Sequence, residues 1–121
     1  MSGPVVQNVS VPADDDAELD FSLTPTGDIV LGPGSQIFFD VYEQQFGQPI
    51  PGTPAVLSKV LDHGIQITNP DLLQFTVTIA RADTVAMLRN YYYETRVVDV
   101  NNSSVTTTVG IFTITGTEIR V

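Results

Sequence analysis

In "LLQFTVTIA", residues 72–80, apolar and polar side chains alternate without a break: Leu73, Phe75, Val77 and Ile79 against Gln74, Thr76 and Thr78. Only an extended chain sends successive side chains to opposite faces, so this period of two fixes a strand with one buried face. The pattern recurs. In "AELDFSLTP", Leu19, Phe21 and Leu23 alternate with Glu18, Asp20 and Ser22, and in "QIFFDVYE" Ile37, Phe39 and Val41 alternate with Phe38, Asp40 and Tyr42. In "YYYETRVVDV", Tyr91, Tyr93, Thr95 and Val97 are expected inward, with Tyr92, Glu94 and Arg96 outward. "AVLSKVL" and "GIQITN" read as short strands flanking an Asp62-His63-Gly64 turn, and "VTTTVGIFTIT" closes the sheet after a turn at "NNSS". The alternation in this last stretch changes phase at Gly110, which is the signature of a β-bulge. About seven strands separated by turn residues predict an all-β fold, an antiparallel β-sandwich.

Two segments break the rhythm. "RADTVAMLRN" places Val85 and Leu88 three apart, so one short helical turn near 82–88 is expected to carry the chain across the end of the sandwich. The tyrosines that follow begin the receiving strand and act as structure, the expected core being Phe21, Phe39, Phe75, Leu88, Tyr91, Tyr93 and Phe112. Residues 1–16 read as an extended N-terminal arm ahead of a sandwich domain spanning 17–121. The V-x-V alternation of "NVSV" makes Val5, Val9 and Val11 candidates for docking on a partner's sheet edge. Phe38, Tyr42 and Phe46 form a second candidate surface patch, because apolar side chains on an outer face mark partner surfaces.

Chemistry-bearing residues are sparse. His63 is the one histidine, and no G-x-S-x-G stretch accompanies it, so a turn residue is expected rather than a catalytic base. Asp40 with Glu43 or Asp99 could in principle form a carboxylate pair, but acidic residues are spread over almost every strand and turn. The run Asp14-Asp15-Asp16 lacks the spacing of a calcium loop, and "LGPGS" has no following lysine or helix to hold a phosphate. With no cysteine there is no disulfide or thiolate chemistry. The reading is therefore of a protein that is not an enzyme and needs no cofactor or metal. Five Lys and Arg against fourteen Asp and Glu give a net charge of −9, which repels nucleic-acid phosphates and anionic lipid and favours basic or neutral partners. The first residues lack a basic segment followed by an apolar one, so no secretory signal is expected, and no apolar run approaches the ~20 residues of a membrane span.

The order "DIVLGPGSQIFFDVYE", "HGIQITNPDLLQFTVTIARADTVAML", Tyr91 and Tyr93, Asp99 and Gly110 resembles the small immunoglobulin-like β-sandwich domains of tailed-phage virion proteins. The N-terminal domain of phage baseplate upper proteins is one example. Arg89 stands where those domains usually have glycine, and Thr95 where they have a larger apolar residue. The resemblance implies an immunoglobulin-like fold and a non-enzymatic virion structural protein. Its expected role is capsid decoration or cementing through the N-terminal arm, within a homo-oligomer or a lattice of other virion proteins. The alternatives are a tail, baseplate or fibre adaptor and a receptor- or carbohydrate-binding module.

Overall fold

The computed structural model describes residues 5–12, 16–22, 34–69, 74–84, 90–101 and 104–115, and eleven strands are found among these described residues. They are β1 (Val5–Val6), β2 (Val9–Pro12), β3 (Ala17–Ser22), β4 (Gln36–Tyr42), β5 (Gln44–Gln45), β6 (Gln48–Pro49), β7 (Leu57–Leu61), β8 (Gly64–Asn69), β9 (Gln74–Ile79), β10 (Asn90–Val98) and β11 (Ser104–Thr115). Nine form one sheet in the order β1-β11-β10-β4-β7-β8-β9-β3, with β2 also on β11, while β5 and β6 pair with each other. The fold is all-β. Among the described residues no helix is long and apolar enough to cross a membrane.

The sheet folds over on itself. Phe21 of β3 lies 6.2 Å from Phe39 of β4 and 6.0 Å from Tyr93 of β10, strands far from it in sheet order. Such contacts require two facing layers, β1/β2-β11-β10-β4-β7 and β8-β9-β3. The corner between them is the turn at Asp62 and Gly64, both at positive φ, where the Asp62 and His63 amides donate to Ile65 and Val60 carbonyls. β2 also lies against β3, so the open side of the sandwich is partly closed like a barrel.

Between the layers sit Ile37, Phe39, Val41, Phe75, Val77, Ile79, Tyr93, Val97 and Phe112, all without solvent exposure. These are the inward positions of the alternating strands. Phe39 and Phe112 meet edge-on at 6.0 Å, and Phe39 and Tyr93 at 5.4 Å, contacts that add about 1 kcal/mol each to the area they bury. Tyr91 is half-buried against this core. Leu88, the remaining residue expected there, lies outside the described residues. So does most of the expected helical turn: a 3-10 turn occupies Arg81–Asp83, where the Asp83 carboxylate accepts from the Ala80 amide and pairs with Lys59 at 2.7 Å.

Three expectations need correction. First, the sheet is mixed rather than antiparallel, because β1 and β2 run parallel to β11. Second, residues 5–12 belong to the sheet and are not a free arm. Val9 is half-buried and Val11 fully buried among the core residues, an arrangement stabilised by about 2 kcal/mol for such a side chain. The physical cause is the bare edge of β11, whose amides and carbonyls need partners. Val11 is therefore unavailable to another protein, and the boundary at 16/17 separates two strands of one sheet.

Third, the bulge falls at Thr107, not Gly110. Thr95 pairs with Thr108 and Arg96 with Thr106, so one extra residue of β11 sits between them, and the Thr95 and Thr107 hydroxyls bond across it at 2.7 Å. Gly110 answers a different need. A β-carbon there would lie 2.8 Å from the Gln7 carbonyl carbon and 3.1 Å from Asn8 Oδ1.

Candidate interaction surface

The outward positions of β4 and β10 face one another in register: Tyr42 opposite Tyr92, Asp40 opposite Glu94, Phe38 opposite Arg96. Sequence parity places each of them outward, but their neighbours follow only from the pairing. The Tyr42 and Tyr92 rings are 6.5 Å apart, and the Arg96 guanidinium lies 4.8 Å over the Phe38 ring. On one side Ile111 and Val109 of β11 continue the rows beside Tyr92 and Glu94, with exposed Val6 next to Val109. On the other, Ser58 donates to Asp40 Oδ1 at 2.7 Å.

The face thus runs from an aromatic pair, through two carboxylates, to a cation over a ring. Like charges directly opposite each other in a sheet are destabilising, by about 0.5 kcal/mol. Asp40 and Glu94 share such a pair. Asp99, considered with Asp40 from sequence, is instead buried beyond the end of β10, accepting from the Asn101 amide at 2.9 Å. His63 is exposed at the β7–β8 corner. Among the described residues no cluster of three metal-binding side chains occurs.

Burial, and then the Asp40 and Glu94 charges, raise the Tyr42 phenol above its usual 10.0, with Arg96 opposing. Tyr92 is raised by burial, Glu94 and Tyr42, and Tyr93 by burial alone. A phenol raised in the folded state keeps its proton after the unfolded chain has lost it. Its contribution to stability is complete below the unfolded value and is lost as pH climbs through the folded one. Stability is therefore expected to fall above about pH 10. An absorbance titration of Asp40→Asn/Glu94→Gln should move the Tyr42 and Tyr92 ionisations down and leave Tyr93 ionising last. An unchanged titration would mean that the carboxylates do not act on these rings.

Phe46, grouped from sequence with Phe38 and Tyr42, lies in a different element. Pairing of Gln45 with Gln48 makes Phe46-Gly47 a two-residue hairpin loop, and β5 and β6 lie against β10. Phe38 and Tyr42 are half-buried, whereas Phe46 is 93% exposed. Neither the hairpin nor the pairing of Glu94 and Tyr92 with Asp40 and Tyr42 is legible in the sequence, since the three prolines of "FGQPIPGTP" suit an irregular loop.

No protein-family model matches the chain, and comparison with curated proteins yields no match.

Proposed function

We propose that the protein is a non-enzymatic bacteriophage virion structural protein, a capsid decoration or cement protein that attaches through the outer face of β4 and β10. The observation that carries this reading is the composition of that face: Phe38, Tyr42 and Tyr92 stand where a merely solvated strand surface has small polar or charged side chains. Aromatic residues beside an arginine are the composition of interface anchors. The order of motifs from "DIVLGPGSQ" to Gly110, which resembles the small sandwich domains of tailed-phage virions, supplies the setting. Attachment by this face replaces attachment by the N-terminal segment, whose Val11 is buried in its own core.

Immunogold labelling of phage particles from the source tests it. Label on the head is the expected result. Label confined to the tail or baseplate reassigns the protein as an adaptor, and particles without label overturn the virion reading.

A further inference from the structure

Phe46 is held where an aromatic side chain does nothing for its own chain. Its φ is 57° and that of Gly47 is 79°, the two left-handed residues of a type I′ hairpin turn. Asparagine, aspartate or glycine suits the first of these positions, and a bulky side chain there is strained. No burial compensates, because the ring is 93% exposed.

The mount, by contrast, is braced. Gln44 Oε1 accepts from the Gly47 amide at 2.8 Å, the Ile50 amide donates to the Glu43 carbonyl at 3.0 Å, and the Thr53 hydroxyl donates to the Ile50 carbonyl at 2.6 Å. Backbone strain at a well-supported position is a mark of function. A ring presented on a rigid hairpin reaches its bound position with little ordering left to do.

The surroundings specify the partner. Tyr42 ends β4 one residue before the hairpin strand β5, exposed Glu43 stands between them three residues from Phe46, and β5 and β6 lie against β10, whose Tyr92 pairs with Tyr42. Arg96 lies over Phe38, at the other end of the face from Tyr42, and Lys59 pairs with Asp83, so both are engaged elsewhere. A second copy would bring the same acidic side chains and the same net charge of −9. We propose that Phe46 is the anchor of the attachment surface and that its occupant is an apolar pocket rimmed by lysine or arginine on another protein. This names the partner chemistry of the attachment reading above and rests on it.

The test uses a host of that chemistry, per-6-amino-β-cyclodextrin, an apolar cavity ringed by ammonium groups, with neutral β-cyclodextrin as reference. Calorimetry and the proton spectrum of the Phe46 ring are followed at low salt on the whole chain. The amino host is expected to bind about tenfold more tightly than the neutral one, with the Phe46 resonances shifting. Phe46→Asn should abolish that binding while raising Tm by about 4 °C through relief of the turn. Glu43→Gln should narrow the difference in affinity between the two hosts. Binding retained by Phe46→Asn, hosts that bind the native chain equally, or a lowered Tm in Phe46→Asn would each overturn the proposal. None of these readouts uses phage particles. Unlabelled particles with a positive host titration would therefore count against the virion reading alone, and labelled particles with a negative titration against the anchor alone.

Discussion

Phe21→Ala is expected to cost about 4 kcal/mol of folding stability, the upper range for truncating a buried aromatic residue. Phe21 is 2% exposed, and its ring meets Phe75 at 5.4 Å within its own layer and Phe39 and Tyr93 in the other. Collapse of the cavity is hindered, since β3 is tied to β9 along its whole length by six paired residues. A domain of this size has about 5–15 kcal/mol in all, so the loss removes roughly a quarter to four-fifths of it. Urea titration measures the loss, with Phe38→Ala as the control. Phe38 is an outward aromatic of β4 whose truncation should cost about 1 kcal/mol or less. Equal losses for the two would mean that β3 does not face β4 and β10, and the two-layer arrangement would fall.

The strands that carry this core were legible because their two faces differ in kind. Phe75, Val77 and Ile79 alternate with Gln74, Thr76 and Thr78, and Phe21 stands between Asp20 and Ser22. Parity alone then assigns inside and outside. The N-terminal segment was not legible in the same way. The alternation of Val9 and Val11 describes a strand with one buried face but not whose sheet it joins, and pairing with β11 closes a loop of about a hundred residues that no local signal encodes.

The displaced bulge has a similar cause. Thr106, Thr107 and Thr108 have no contrast between faces, so the insertion at Thr107 is silent and the change of phase shows only downstream, where a glycine attracted the assignment. At the candidate site, Phe38 and Tyr42 were placed outward by parity. The opposition of Asp40 and Glu94 needed the register, and the left-handed Phe46 needed the Gln45–Gln48 pairing, both products of tertiary structure.

Gly110→Ala decides where the N-terminal strand belongs. At this point the chain passes so close to β11 that an added methyl group would overlap the Gln7 carbonyl. Gln7 cannot retreat cheaply: its amide donates to the Val109 carbonyl at 2.9 Å, its carbonyl accepts from the Tyr93 hydroxyl, and Asn8 Oδ1 accepts from the Ile111 amide at 3.0 Å. Making room for the methyl breaks part of this set and loosens β2, where the Thr115 hydroxyl holds the Val11 carbonyl at 3.2 Å. The expected loss is about 3 kcal/mol, overpacking and lost hydrogen bonds together, against about 1 kcal/mol for Tyr93→Phe, which removes a single bond. Hydrogen exchange should show the damage centred on Gln7, Val11 and the β11 amides facing them, with β9 retaining its protection. A docking arm predicts otherwise. If residues 5–12 found their place only on a partner, the methyl group would meet open space, and the isolated chain would keep its stability to within about 0.5 kcal/mol, as surface substitutions do. The two outcomes differ severalfold in size, so one denaturation curve separates a strand that completes its own core from an arm that waits for another protein.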